Sequence, residues 1–453
     1  MSYLNQAQRL PMPTGERSHT SAAQVATAEL ETQDKVRANN IRYLAPERML
    51  LYGIAVYLLV FAIAPVSVTV PIGLGAFCYL AIGYGCLLLG MMAAPWEGRR
   101  SIYKMTPSFI RGLLFASVFI GGIGMILRLY DRYGVRGVEV AANFMQAQQE
   151  NMESGPTVYS TIAAVLYPFC YLVFFLYLVK NNGKGKKLGF ISSLIMCLSP
   201  GLTALSMGSR SFMLVSGGMV IIFCVYFGIL KFNTKTFLFA VGGTFLAAAF
   251  FTVIFVYRLK AMKVDPTFSV YSSVYAFTVR PNLSASSAFA QGSGLAYYLN
   301  FMLLSMTQYF IHGVFEFGYE FQHFLGNHTW GADNFAAYFK LFAMLMGARD
   351  PMDSVLAVSP RTGAFTTFFG PVYLDFGWYG MPLLIAFGFF IKKLWYRFVA
   401  RDYLLAPLYA YFAVVLFLSP VVNLLVGAQG LYTITSFIVF WAVAAANRTT
   451  SSI

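Results

Sequence analysis

The chain has 453 residues, of which 58% are hydrophobic and only 11% are charged. A soluble globular domain is about a quarter charged, so the composition excludes an ordinary water-soluble protein. The apolar runs are continuous, as in AVYLLVFAIAP and MVIIFCVYFGIL, and their lack of alternation excludes the strands of a membrane β-barrel. We predict an all-α, polytopic membrane protein with about 10, and at most about 12, transmembrane helices.

The net charge of +14 is predicted to lie on one side of the membrane. Segments 1–48, 95–111, 180–187, 231–235 and 392–402, with Arg448, hold 21 of the 32 Lys and Arg residues but only 7 of the 18 acidic residues. This bias is typical of cytoplasmic loops, so we expect both termini in the cytoplasm of a bacterial inner-membrane protein. The same distribution argues against nucleic acid as a partner. The five cysteines all fall in apolar runs, as small hydrophobic residues do.

The predicted elements follow a polar tail at 1–48, which has the composition of a disordered segment and for which we expect no cleavable signal peptide. Seven helices within 49–257 come next, then a large periplasmic segment at 258–370, C-terminal helices within 371–447 and a cytoplasmic tail at 448–453. The ten spans are predicted at 49–66, 71–94, 108–128, 159–179, 188–206, 212–230, 236–257, 371–391, 403–425 and 431–447.

The periplasmic segment contains two apolar stretches that make poor spans. Residues 295–315 are interrupted by polar side chains, and residues 334–347 are amphipathic and short. We predict interfacial or re-entrant helices for both, with an extra pair of spans as the alternative. Its aromatic residues either stack on sugar rings or form a membrane-interface belt; they include Tyr271, Tyr275, Tyr309, Phe317, Tyr319 and Trp330.

Four arginines are predicted to bind an anionic group on the outer side. Arg210 follows Ser209 in a tight turn between two apolar runs, and Arg258 begins a basic cluster where the seventh span ends. Arg280 and Arg361 lie farther along the periplasmic segment. Basic residues on this side run against the charge bias, and a planar guanidinium matches phosphate geometry. The alternative is that these side chains snorkel to ordinary lipid headgroups.

Two further stretches contain candidates for acid–base chemistry. His312 and Glu316 are four residues apart and therefore share a helical face, as an acid–base pair or as the wet edge of an interfacial helix. In RTGAFTTFFGPVYLDFGWYG, Thr366 and Thr367 precede Asp375, a carboxylate near the outer end of a span. The alternative for Asp375 is a helix cap with a kink. The histidine spacing matches metal sites only weakly, and no metal is predicted.

Together these stretches resemble a known family. The layout, with ten or more spans and one long outer loop before the last few, is similar to that of the Wzy-type O-antigen or oligosaccharide repeat-unit polymerases. The residues that carry the resemblance are the Gly208-Ser209-Arg210 turn, the YFIHGVFEF stretch, and Thr366, Thr367, Gly370, Asp375, Phe376, Gly377 and Gly380. The resemblance implies a metal-independent, cofactor-free glycosyltransferase of lipopolysaccharide biosynthesis that joins undecaprenyl-pyrophosphate-linked repeat units at the periplasmic face.

The resemblance, together with the candidate residues named above, implies a role for each of them. The residues expected to bind the pyrophosphate are Arg210, Arg280, Arg361 and Arg258. The candidates for the catalytic base are Asp375, Glu316 and His312. The residues expected to contact the substrate are Ser209, Thr366, Thr367 and Tyr309. Membrane lipids and a chain-length regulator protein are further expected partners.

Three rival interpretations are considered. An O-antigen ligase has the same architecture but delivers the glycan to a lipid A core sugar. A polysaccharide or lipid-linked sugar transporter would predict inverted repeats and ionisable residues near mid-membrane, and the sequence has neither feature. A non-enzymatic scaffold would leave the basic residues on the outer side unexplained.

Overall fold

The computed structural model of the chain is almost entirely helical. It describes residues 40–96, 105–137, 157–183, 185–206, 211–230, 265–290, 294–324, 326–347, 352–361, 363–400 and 402–446, with positions 252, 253, 256, 259 and 263. Seven helices within these ranges are long and apolar enough to cross a membrane. The predicted all-α class and the membrane character are therefore confirmed for the described residues.

The N-terminal half of the described chain contains helices α1 to α7 and strand β1. Their bounds are α1 (Pro46–Ile63), β1 (Val66–Val68), α2 (Leu74–Ala93), α3 (Pro107–Tyr130), α4 (Val158–Leu166), α5 (Phe169–Asn181), α6 (Lys187–Ser206) and α7 (Ser211–Tyr226). A π-helical turn at Asp131–Val135 continues α3, and α4 with α5 forms one candidate span, Val158–Asn181.

The C-terminal half contains strand β2 and helices α8 to α16, and the first of these helices lie in the segment predicted to be periplasmic. Their bounds are α8 (Pro266–Tyr271), β2 (Val279–Pro281), α9 (Leu283–Ala290), α10 (Leu295–His323), α11 (Ala336–Met346), α12 (Met352–Val358), α13 (Phe369–Phe376), α14 (Gly380–Val399), α15 (Ala406–Leu418) and α16 (Gly427–Ala446). Short 3-10 turns lie at Val274–Phe277 and Gly377–Tyr379.

Most of the predicted spans coincide with helices. The candidate spans are Pro46–Ile63, Leu74–Ala93, Pro107–Val135, Val158–Asn181, Lys187–Ala204, Phe369–Val399 and Gln429–Ala446. The predictions at 212–230 and 403–425 correspond to the shorter apolar helices α7 and α15. The predicted span at 236–257 lies almost wholly outside the described residues.

The two ambiguous outer stretches both form helices. The first belongs to α10, a continuous helix of 29 residues that is not among the candidate spans. The second forms α11, which has 11 residues and packs on α16, where the Tyr338 hydroxyl donates to the Leu431 carbonyl at 2.9 Å. The choice between interfacial helices and extra spans in this region stays a prediction.

One end of the bundle gathers segments that the charge bias assigns to a common side. Lys392 near the end of α14 forms an ion pair with Glu47 at the start of α1, with 2.9 Å between Nζ and Oε2. The Asn40 side chain donates to the carbonyl of Leu230 at 3.0 Å. The segments around 40–48, 230 and 392 therefore share an end, as predicted from their charges.

The opposite end is joined by a small antiparallel ribbon. Strand β1, between the first two spans, pairs with β2 of the outer segment, and Ser67 lies opposite Arg280. Helix α10 packs beneath this ribbon, and the Gln308 side chain donates to the Val279 carbonyl at 2.9 Å. The long outer segment is therefore attached directly to the turn between α1 and α2.

Helices α2 and α14 approach each other closely through two glycines. A Cβ on Gly90 would overlap the carbonyl of Ile385, and a Cβ on Gly388 would overlap the carbonyl of Leu87. Small residues allow such backbone contact between apolar helices. The crossing fixes α14, and with it the preceding helix α13, against the N-terminal part of the bundle.

Candidate functional site

A stripe of polar side chains runs along one face of α10. Gln308, His312, Glu316 and Glu320 are spaced by four residues and therefore lie on a single face of the helix. Each is at most 5% exposed. The polar interruptions that make this stretch a poor span thus form a buried polar ridge, and buried ionisable groups require partners or a function.

The lower part of this ridge opens into a cavity of about 380 Å³. The cavity lies among α10, α12, α13 and the segment before α16, and its volume is within the range of small-molecule pockets. Its polar lining includes Glu316, Glu320, Asp333, Arg361, Thr366 and Gln429. Three carboxyl groups, one guanidinium and, with Asn423, two amides therefore belong to residues that line a common space.

Arg361 is anchored at the cavity by three contacts. Its Nε lies 3.0 Å from Oε1 of Glu316, and its Nη2 donates to the Val274 carbonyl at 3.0 Å. Its Cζ lies 3.9 Å from the centre of the Phe277 ring. About one fifth of the side chain is exposed (20%), so the guanidinium is both held in place and accessible.

Glu320 is placed by the Thr366–Gly370 turn. A Cβ on Gly370 would overlap Oγ1 of Thr366 and lie 3.1 Å from Oε2 of Glu320, so the glycine makes room for both side chains. The Thr366 hydroxyl forms a hydrogen bond with the Glu320 carboxyl. Oε1 of Glu320 and Oε2 of Glu316 accept no hydrogen bond from any residue in the described part of the chain. Two buried carboxyl oxygens of cavity-lining residues thus have no hydrogen-bond partner within the described ranges.

Asp375 is buried beneath the loop that precedes α11. Its Oδ1 accepts hydrogen bonds from the Thr329 hydroxyl and, at 3.0 Å, from the Asp333 amide. Its Oδ2 accepts from the Asn334 amide at 2.8 Å and from the Asn334 side chain at 2.6 Å. Asp375 is fully buried and does not line the cavity, whereas Asp333 does.

The helix that carries Asp375 breaks directly after it. Gly377 has φ +51, a conformation that favours glycine, and a Cβ there would overlap the His328 imidazole. The Tyr79 hydroxyl donates to the Gly377 carbonyl at 2.9 Å, which ties the break to α2. The kink that the sequence offered as an alternative role for this stretch is therefore present.

Burial perturbs two carboxyl groups that line the cavity, those of Glu320 and Asp333. The pKa of Glu320 is raised to about 8, mainly by burial and also by the charge of Asp333, while the Thr366 hydrogen bond opposes the shift. Burial, with the charge of Asp375, raises the pKa of Asp333 to about 7. Both carboxyls are therefore poised to exchange protons near neutral pH.

The pKa values of the other two ionisable groups of the ridge, Glu316 and His312, are shifted in opposite directions. Burial raises the pKa of Glu316, and the guanidinium of Arg361 opposes that shift. His312 lies between the rings of Tyr275 and Phe365, with centroids 4.1 and 4.8 Å away. Burial lowers the pKa of His312 to about 4, so its imidazole is neutral at pH 7. His312 does not line the cavity.

The predicted arginines meet this site to different degrees. Arg210, Arg258 and Ser209 lie outside the described residues, although Ser211, directly after Arg210, lines the cavity. Arg280 is exposed, and its Nε donates to the Ala276 carbonyl at 3.0 Å. Ala276 belongs to the same 3-10 turn that Arg361 contacts, so two predicted arginines from separate stretches meet at Val274–Phe277.

Among the remaining predicted residues, some line the cavity and others are buried away from it. Thr366 lines the cavity, whereas Thr367 is buried and its hydroxyl accepts from the Phe369 amide at 3.3 Å. Tyr309 is buried, with its ring centroid 5.2 Å from that of Phe365. Of the three predicted substrate residues that the structure describes, only Thr366 reaches the cavity.

Four polar residues that line the cavity were not predicted from the sequence. Glu320 lies four residues after Glu316, so the same helical spacing could have identified it. Asp333, Asn423 and Gln429 lie in or next to loops, where no periodicity marks them. Gln429 contributes a buried Nε2 that donates to no residue in the described ranges.

The arrangement combines a fixed cation with carboxyl groups that can take up a proton. Arg361 can bind an anionic leaving group, while Asp333 and Glu320 can accept a proton from a substrate hydroxyl. The chain matches no family model, no curated protein and no solved structure.

Proposed function

We propose that the protein is a membrane-embedded glycosyltransferase that polymerises undecaprenyl-pyrophosphate-linked oligosaccharide repeat units into O-antigen or a related surface polysaccharide. It acts at the periplasmic face of the bacterial inner membrane, with both termini in the cytoplasm. The observation that carries this proposal is the cavity in which Arg361 lies beside buried carboxyl groups, two of whose oxygens have no hydrogen-bond partner among the described residues.

The reaction needs a base and a cation. The acceptor sugar hydroxyl attacks the anomeric carbon of the donor, a new C–O bond forms, and the bond from that carbon to the pyrophosphate oxygen breaks. The hydroxyl proton passes to a carboxylate, and the lipid pyrophosphate leaves with the bonding electron pair. A positioned base and a charge that stabilises the leaving group are the two contributions expected of the protein.

Arg361 suits the role of the cation. A guanidinium has five N–H donors, and the contacts to Glu316 and Val274 use only its Nε and one Nη2 hydrogen. The remaining hydrogens can bind two phosphate oxygens in the planar arrangement typical of arginine. The ring of Phe277 supports the guanidinium from one face.

Asp333 and Glu320 suit the role of the base better than the residues predicted for it. A carboxylate has about four acceptor positions, and the four donors around Asp375 fill them. Asp333 instead faces the cavity with a pKa of about 7, close to the value that favours general-base catalysis at neutral pH.

The test is polymerisation by the purified protein in lipid nanodiscs. Wild-type protein, given lipid-linked repeat units and a chelator, is expected to produce a ladder of glycan lengths. Arg361→Ala and Asp333→Asn should abolish the ladder, whereas Asp353→Asn, an exposed carboxyl on α12, should not change it. Full ladders from both cavity variants would refute the site, and no ladder from wild-type protein would refute the activity.

An O-antigen ligase is the nearest alternative, because both reactions use the same lipid-linked donor. A deletion strain separates the two. Loss of a polymerase leaves single repeat units on the lipopolysaccharide core, whereas loss of a ligase leaves the core bare. A bare core would replace the proposal with the ligase function.

A further inference from the structure

The loop between α10 and α11 is held by the helix on which it lies. The Thr329 amide donates to the Leu374 carbonyl at 3.2 Å, and the Trp330 amide donates to the Asp375 carbonyl at 3.0 Å. The Asn334 side chain donates to the Pro371 carbonyl at 2.8 Å. With the four hydrogen bonds to the Asp375 carboxylate, these contacts fasten residues 329–334 to the last turns of α13.

This attachment holds a strained backbone. Trp330 has φ 50, which is rare for a bulky side chain and is energetically unfavourable, and the residue is 66% exposed. Because the indole is largely exposed, its burial does not account for the conformation. The neighbouring contacts to α13 hold the loop in this shape, and the next charged residue in it is Asp333.

Asp333 is fixed through its backbone at the edge of the cavity. Its amide donates to Asp375 at 3.0 Å, and Asp333 lines the cavity with Glu320, on which its charge acts. Glu320 is 95% buried, since its exposed fraction is 5%, and its Oε1 has no hydrogen-bond partner among the described residues. Glu320 therefore keeps a buried, unpartnered oxygen at the cavity that Asp333 also lines.

We propose that Asp375 is a positioning residue whose carboxylate fixes Asp333 beside Glu320, so that these two carboxyls share one proton at neutral pH. The catalytic consequence rests on the proposed function. The arrangement itself does not, because it concerns only groups of this chain.

The charges around the pair support the sharing of one proton. The charges of Asp333 and Glu316 act on Glu320, the charge of Asp375 acts on Asp333, and Arg361 compensates Glu316 at 3.0 Å. Two buried carboxyls that interact strongly do not both ionise near neutral pH, and they titrate as a pair. With one proton held, the pair offers an acceptor oxygen to an incoming hydroxyl and a donor beside it.

The interaction is measurable without substrate. In infrared spectra of the purified protein, the C=O band of protonated Glu320 is identified by its loss in Glu320→Gln, and its titration midpoint is followed from pH 5 to pH 10. Removing the neighbouring charge with Asp333→Asn is expected to lower that midpoint by about one pH unit. The exposed Asp353→Asn should leave it unchanged.

A double-mutant cycle then tests the role of Asp375. Asp375→Asn is an isosteric change that places an amide NH₂ next to the N–H donors. In this background, Asp333→Asn is expected to shift the Glu320 midpoint no further. If that background does not fold, Asn334→Ala replaces it, because it removes the side-chain contacts to Asp375 and Pro371 and keeps the charge. The shift from Asp333→Asn should then be smaller than in wild-type protein.

An undiminished shift in the tested background would overturn the positioning role. A wild-type protein that shows the coupled titration but makes no ladder would refute the glycosyltransferase and leave the positioning role standing. In the active protein, Asp375→Asn should also move the acid limb of the pH–rate profile, whereas a purely structural defect lowers the rate equally at every pH.

Discussion

Glu320→Gln is expected to remove much of the loss of stability at alkaline pH. Burial raises the pKa of Glu320 from 4.5 to about 8, so the folded protein keeps a proton that the unfolded chain has already released. The stability from this group is fully present below pH 4.5 and is lost as the pH rises through about 8. The interval between the two pKa values corresponds to about 5 kcal/mol.

The assay is thermal unfolding in detergent, followed by tryptophan fluorescence at pH 6 and pH 9. At pH 6 part of this stability is already lost, and the remaining interval up to about 8 corresponds to about 3 kcal/mol, which for a chain of this length is a change of roughly 3 °C in Tm. Wild-type protein and the exposed control Asp353→Asn should show this fall, and Glu320→Gln should show a clearly smaller one. An equal fall in wild type and Glu320→Gln would show that Glu320 does not carry the buried proton.

Three other predictions concern the cation, the base and the helix crossing. Arg361→Ala should reduce the rate of ladder formation about 100-fold or more, whereas Arg280→Ala, whose exposed side chain contacts the Ala276 carbonyl, should cost about tenfold or less. Equal losses in the two variants would contradict this ranking. The rate of wild-type protein should fall as the pH drops below about 7, because Asp333 is then protonated, and a flat profile from pH 5 to pH 8 would exclude Asp333 as the base. Gly90→Ala should lower Tm because its Cβ overlaps the Ile385 carbonyl, while Gly85→Ala on the same helix meets open space and should be neutral or slightly stabilising; similar Tm values would refute the tight crossing.

Most of the helical bundle could be predicted from two features of the sequence, its apolar runs and the distribution of its charges. Continuous apolar runs of about 20 residues mark spanning helices, and seven of them coincide with candidate spans in the described ranges. The charge bias predicted that Glu47 and Lys392 share an end, although 345 residues separate them. The pairing of β1 with β2 was not predicted, since a three-residue strand leaves no pattern in the sequence.

The site was predictable only where it follows a helix. The spacing of four that joined His312 to Glu316 is correct for α10, and one more step would have reached Glu320. The contact between Asp375 and Asp333 joins residues 42 apart and depends on a loop, so neither spacing nor hydropathy announces it. Asp375 was predicted to be a functional carboxylate, but the four hydrogen-bond donors around it come together only in the folded chain.

The pairing of Ser67 with Arg280 has a practical consequence for topology mapping. A short connection between two hydrophobic helices is the usual place to insert an epitope or a reporter. Here the same connection contains β1, which pairs with β2. Strand β2 directly follows the Val274–Phe277 turn, whose Val274 carbonyl accepts a hydrogen bond from Arg361. An insertion at 66–68 would disturb this ribbon while reporting the location of the loop, so labels should be inserted elsewhere.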